Sequence, residues 1–261
     1  MTDDDVLAGR RAVIEALRAG RPLRKVMVAR TAHGPTVREI IHEARRLGVA
    51  VQFVDPRHLR GGAESQGVVA LASARPTVQV DGILAAAAAR GEPPFVLVLD
   101  GVEDPANLGA LIRTADGAGV HGVIIPRHRA VGLTPAVARA SAGAVEHVPV
   151  AVVANLVQTL EDLKRAGLWI VGSDMQARQP YYEASLMPPL AMVVGGEGRG
   201  LGRLVREHCD LVVSLPMRGR TESLNVSVAA GVLLYEVVRQ IAGTGAGGRA
   251  APEPSKRVEG K

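Results

Sequence analysis

The chain has one cysteine, Cys209, among 261 residues. That excludes an internal disulfide and a cysteine-rich metal site, and it suits a reducing cytoplasm. Aromatic residues make up 2% of the chain, so Ala, Val, Leu and Ile must build the core. The same shortage argues against a surface of stacked aromatic platforms, a common device for gripping single strands. No apolar run is expected to reach the roughly 20 residues that span a bilayer. The first residues, MTDDDVLAGRR, are acidic where a secretory signal would be basic and then apolar. These absences together predict a cytoplasmic protein without a membrane segment. No GK[ST] triplet occurs, which removes a Walker loop. His33, His42, His58, His121, His128, His147 and His208 show no metal-ligand spacing, so no metal is expected.

What is present is ordinary globular usage, 47% hydrophobic and 22% charged, on a length that allows one large domain or two modest ones. The net charge of +5 is unevenly placed. Residues 1–75 carry 13 Lys and Arg against 8 Asp and Glu, and the remainder carries 18 of each. Arg10, Arg11, Arg18, Arg21, Arg24, Lys25 and Arg30 fall close together. Such one-sided charge suits a polyanion, because each neutralised phosphate releases counterions; a solvated surface rich in Arg accounts for it too.

Periodicity divides the chain. Residues 1–75 read as a small α/β unit, with helices near 9–20 and 35–48 and strands at 26–28, 49–54 and 67–72. Residues 76–94 read as a linker with a short helix. From Phe95, apolar strands are expected at 95–99, 122–125, 147–150, 168–172, 190–194 and 211–215. Helices are expected near 105–119, 135–142, 155–166, 200–208 and 225–241. Continuous apolar strands alternating with helices predict a parallel sheet covered on both faces. The Gly-, Ala- and Pro-rich residues 243–261 read as a disordered tail.

Three loops, each directly after a strand, carry unusual chemistry. The first runs Asp100-Gly101-Val102-Glu103-Asp104-Pro105-Ala106-Asn107-Leu108-Gly109 and on to Arg113-Thr114-Ala115. Asp104-Pro105 is a helix start, and Arg113 on a largely apolar helix calls for an anionic partner. The second, Gly195-Gly196-Glu197-Gly198-Arg199-Gly200, lets backbone approach a ligand closely. It comes too late in the chain for a dinucleotide fingerprint, and Glu197 would repel a pyrophosphate. The third runs from Leu215 through Arg218, Arg220, Thr221, Glu222, Ser223, Leu224 and Asn225 to Ser227. Helix capping accounts for Ser223 or Asn225 but not for the whole gathering.

Together the loops resemble the SpoU (TrmH-like) branch of the SPOUT RNA 2′-O-ribose methyltransferases, and most resemble the type acting on guanosine in large-subunit (23S) ribosomal RNA. The likeness covers residues 95–241. Residues 1–75, with Gln66-Gly67-Val68-Val69-Ala70, are similar to that family's L30e-like substrate-binding domain, although Ser65 stands where relatives often carry His. The resemblance implies an α/β fold: an α/β-knot domain over residues 95–242, with a deep trefoil knot, preceded by a small L30e-like α/β domain. It implies S-adenosylmethionine as methyl donor, bound by Gly195, Gly196, Leu215 and Leu224, and catalysis by Arg113, Asn107, Glu197, Ser223 and Asn225. It further implies a homodimer and ribosomal RNA held by a basic front domain, for which Arg10, Arg11, Arg24 and Lys25 are the candidates; neither DNA nor membrane is expected.

Other readings are a methyltransferase acting on transfer RNA, a ribosome-targeted antibiotic-resistance enzyme, and an RNA-binding assembly module with a decayed cofactor pocket. A nicotinamide dehydrogenase fits less well, having misplaced glycines and no acidic ribose partner.

Overall fold

The computed structural model describes residues 5–59, 62–72, 77–196 and 200–244. Most of the expected tail, and Glu197, lie outside the described residues.

The front of the chain folds as β1 (Asp5–Ala8), α1 (Arg10–Arg18), β2 (Leu23–Ala29), α2 (Pro35–Arg46), β3 (Ala50–Val54) and β4 (Val68–Ala72). Its sheet has the order β1-β4-β2-β3, with β2 and β3 parallel and β4 antiparallel to both its neighbours. Both helices bury one apolar stripe: Val13, Ile14 and Leu17 from α1, Val37 and Ile40 from α2. Strand β1 has no counterpart in the sequence reading, since its four residues, the first of them an aspartate, show no useful alternation; pairing with β4 decides it.

The larger part begins with α3 (Val80–Ala89) and β5 (Phe95–Asp100), followed by α4 (Pro105–Gly117), β6 (Gly122–Pro126), α5 (Pro135–Ala140), β7 (Val150–Val153), α6 (Leu156–Arg165) and β8 (Trp169–Ser173). It closes with β9 (Gln179–Pro180), β10 (Leu190–Gly195), α7 (Arg203–Glu207), β11 (Leu211–Ser214) and α8 (Val226–Thr244). The sheet order is β7-β6-β5-β10-β8-β11-β9, and every pairing is parallel. On β5, Phe95, Leu97 and Leu99 face one core while Val96 and Val98 face another. On β10, Leu190, Met192 and Val194 oppose Ala191 and Val193 in the same way. Each such Leu or Val stabilises the fold by about 1.5–3 kcal/mol relative to exposure. The predicted two-faced parallel sheet is therefore the one observed.

Boundaries differ where local chemistry overrides the apolar pattern. Strand β7 starts at Val150 rather than spanning 147–150, because Ala144–Glu146 coil into a 3-10 turn and Pro149 has no N–H for a ladder. Helix α7 is short, beginning after Gly202. The short helix expected between the two units is α3, and it packs on the larger sheet, with Ile83 buried among Val96, Val98 and Ile124. Helix α8 continues to Thr244, through the first two residues of the expected tail.

Helix α8 also corrects the expectation about apolar runs. Its 19 residues are long and apolar enough to cross a membrane by length and composition. It nevertheless belongs to the core. Ala230, Leu233, Leu234 and Val237 are fully buried, Glu236 pairs with Arg239 at 2.7 Å, and Gln240 accepts a hydrogen bond from the Leu186 N–H at 2.8 Å. The front unit docks on the larger one through α5 against β1. Arg21 meets Glu146 at 3.2 Å with both side chains almost wholly buried, and His147 Nε2 lies 2.8 Å from Glu15 Oε2.

Candidate active site

The strand order turns at the β5–β10 pair, where successive connections leave in opposite directions. In such sheets ligands collect at the carboxyl ends of the strands beside that turn. Here the β5 end supplies Asp100 to Asp104, and the β10 end supplies Gly195 and Gly196. Asp100 stitches the two together. Its carbonyl accepts the Gly196 N–H at 2.7 Å, and its Oδ2 accepts the Gly202 N–H at 2.8 Å.

The approach is close enough to exclude side chains. A Cβ on Gly196 would lie 2.0 Å from the Gly101 carbonyl oxygen, and one on Gly195 would lie 2.1 Å from the Gly200 carbonyl carbon. Gly109 is used differently. A Cβ there would lie 2.3 Å from Ala140 Cβ, so this motif glycine lets α4 and α5 touch.

Helix α4 starts with the Asp104 side chain accepting the Ala106 N–H, and Pro105 occupies its first turn. Asn107 is buried one turn in. Its Oδ1 accepts from Asn225 Nδ2 at 3.0 Å, while Asn225 Oδ1 accepts the Ser227 N–H at 2.9 Å. Asn225 therefore caps α8 and ties α8 to α4 with one side chain. Farther along, a Cβ on Gly231 would lie 3.7 Å from Thr114 Cγ2, and the Tyr235 hydroxyl lies near Gly117. The two helices thus run side by side from a common end; Arg113 lies on α4 next to Thr114, exposed, and is not among the residues lining the cavity below. Among the described residues Arg113 makes no ion pair.

A cavity of about 460 Å³ opens here, lined by Asp100 to Asp104, Asn107, Arg129, Gly196, Gly200, Gly202 and Val226. The structure thus brings Asn107, Asn225 and Gly196 of the expected site together. Gly195, Leu215 and Leu224 are not among the cavity's lining: Gly195 is buried, Leu215 is half-buried against the core, and Leu224 is 42% exposed. Ser223 is exposed, and its hydroxyl makes no hydrogen bond among the described residues.

The candidate RNA contacts do not form one cluster. Arg10 donates through Nε to the Gln66 carbonyl at 3.0 Å near the end of β2, and exposed Arg11 follows it. Arg24 and Lys25 lie at the start of β2, about 13 Å away along the strand, with Lys25 donating to Gln52 at 3.3 Å. Sequence reasoning missed Asp100 as the stitch and Arg129 as a cavity residue; an aspartate ending a strand and an arginine in a loop carry no periodic signal. Burial pushes the Cys209 thiol up to about 12, so it stays protonated and offers no covalent nucleophile.

The family model described as SpoU rRNA methylase matches residues 94–235, more than half of the chain. The chain belongs to the SpoU methylase family. A second model, for RNA 2′-O ribose methyltransferase substrate binding, matches residues 6–78. This SpoU methylase is 46% identical over 238 residues to a Bacillus subtilis protein named as a TrmH family tRNA/rRNA methyltransferase, covering 90% of this chain and 96% of that one. A Staphylococcus aureus protein of the same name is 41% identical over 240 residues, covering 91% and 97%. Among solved structures, the SpoU methyltransferase AviRb of Streptomyces viridochromogenes, in complex with AdoMet, superposes with a TM-score of 0.78 at 27% identity, covering 91% of this chain and 90% of that one. An RNA 2′-O ribose methyltransferase gives 0.75 at 30% identity, covering 91% and 88%.

The fold is thus the α/β-knot with a smaller α/β unit in front, and the chain is an S-adenosylmethionine-dependent RNA methyltransferase. Of the residues expected to hold the donor, only Gly196 lines the cavity. Asp100, Glu103 and Asp104 border it beside glycine backbone, and such carboxylates attract a nearby sulfonium cation. Among the described residues no cluster could hold a metal ion.

Proposed function

We propose that this enzyme methylates a ribose 2′-hydroxyl, that of a guanosine in 23S ribosomal RNA. The observation that carries the reading is the junction of α4, α8 and the Gly195–Gly196 turn, with Arg113 exposed and unpaired among the described residues farther along α4. Bound S-adenosylmethionine supplies an electrophilic methyl group on a sulfonium centre. The chain's own task is to hold the 2′-oxygen in line with that carbon and to favour its alkoxide. A guanidinium holds its proton tightly and is a poor base, so Arg113 orients the hydroxyl and stabilises emerging negative charge. Asn107, Asn225, Ser223 and Glu197 complete the ribose side of the site. Gly195, Gly196, Leu215 and Leu224 hold the donor, largely through backbone groups.

Residues 1–75, 76–94 and 95–242 act in this reading as RNA-gripping unit, connector and methyltransferase unit, with Arg10, Arg11, Arg24 and Lys25 spread along the RNA path. A front unit favours ribosomal over transfer RNA. A SpoU-type tRNA-modifying enzyme of A. aeolicus matches only 59% of this chain, whereas AviRb matches 91%. The enzyme works as a homodimer in the cytoplasm.

Radiolabelled methyl transfer to an unmodified 23S transcript and to bulk transfer RNA, followed by mapping of 2′-O-methyl sites, tests the assignment. Label on the transfer RNA alone would overturn the ribosomal reading. Arg113→Ala is expected to keep cofactor affinity by calorimetry and to lose about 100-fold or more in turnover, in the range of a lost charge-stabilising donor.

A further inference from the structure

We infer that Arg129 is a positioning residue that binds the RNA phosphate bordering the target nucleotide, an inference that rests on the RNA-methylating reading above. Arg129 lies in the loop between β6 and α5, on the same rim as Asp100 and Gly196. It stands at φ +56°, a left-handed conformation that residues other than glycine rarely adopt. Both flanks of the loop are fixed. The Arg127 N–H donates to the Val153 carbonyl at 2.8 Å, and the Val131 N–H donates to the Val102 carbonyl at 3.1 Å. A strained backbone conformation held by its surroundings at a cavity edge points to a functional demand on that residue.

The position explains the demand. Arg129 lines the 460 Å³ cavity with Asn107 and also a neighbouring space of about 570 Å³, together with His128, Asn155, Leu156, Leu204 and Arg203. It is exposed and makes no ion pair among the described residues, although Asp100, Glu103 and Asp104 line the first cavity with it. Its neighbour on this rim is committed elsewhere: Arg203 pairs with Glu207 at 2.8 Å. An RNA strand that places one ribose beside Asn107 carries its phosphodiester to the cavity's border. There the three carboxylates repel it, and a planar guanidinium can take two of its oxygens. The second space then receives the adjoining nucleotide, with Leu204, 52% exposed, offering an apolar surface to its base.

Arg129→Gly tests this cleanly, since glycine adopts the same backbone without strain and removes only the side chain. The expected results are an unchanged or higher melting temperature, unchanged S-adenosylmethionine affinity and a KM for the 23S transcript raised about tenfold or more, with kcat less affected. The slope of log K against log salt for a single-stranded RNA should fall by about 0.7, one phosphate contact. Arg129→Lys should recover part of the affinity. If the unaltered enzyme methylates RNA and Arg129→Gly matches it in KM and salt slope, the assignment of Arg129 is overturned alone. If the unaltered enzyme neither binds nor methylates RNA, this inference and the proposed function fall together.

Discussion

At the scale of single residues, the site depends as much on missing side chains as on present ones. Gly196 has no room for a methyl group, because the Gly101 carbonyl oxygen occupies the place where one would go. Gly196→Ala must therefore push the β5 and β10 ends apart and break the Asp100 stitch. The expected outcome is loss of calorimetrically detectable S-adenosylmethionine binding in a chain that still shows native circular dichroism. Retained binding would show that the two turns can separate without harm. Asn225 illustrates the opposite economy, as one amide caps α8 and reaches Asn107. Its capping role alone is worth about 1 kcal/mol.

At the scale of elements, α4 is the pivot, bounded by α8 on one side and α5 on the other. Gly109→Ala should force α4 from α5, lowering stability by about 1–3 kcal/mol as overpacked core sites do; urea midpoints measure it. Much of this element's geometry was legible in the chain. Asp104-Pro105 announces its start, and Leu108, Leu111, Ile112 and Ala115 announce its buried face. The two loops that meet at the rim, and the third from whose end Asn225 reaches Asn107, were likewise legible as loops after strands. What was not legible depends on pairings distant in sequence. Strand β1 exists because β4 does, α3 packs because Ile83 meets Val96 and Val98, and the role of Gly109 needs Ala140 beside it. Arg24 and Lys25 looked contiguous with Arg10 and Arg11 in the basic stretch, but Arg10 and Arg11 open α1 beside Gln66 whereas Arg24 and Lys25 stand at the start of β2.

At the scale of the whole molecule, the front unit is fixed by charge that had looked destined for RNA. Arg21 is buried against Glu146, with side-chain exposures of 3% and 5%. Arg21→Ala leaves a carboxylate stranded in the interface, and a loss of about 3–5 kcal/mol is expected from urea denaturation. Replacing both partners by apolar residues of similar size should cost far less. Equal losses in the two variants would mean that packing rather than charge holds the joint.

The bond between Asn107 and Asn225 joins positions 118 apart in the chain. During synthesis the ribosome delivers α4 long before the segment that begins α8. A polypeptide cut short before Asn225 has nothing with which to complete the rim, however well its sheet has formed. Competence to modify RNA is therefore expected only after α8 has emerged.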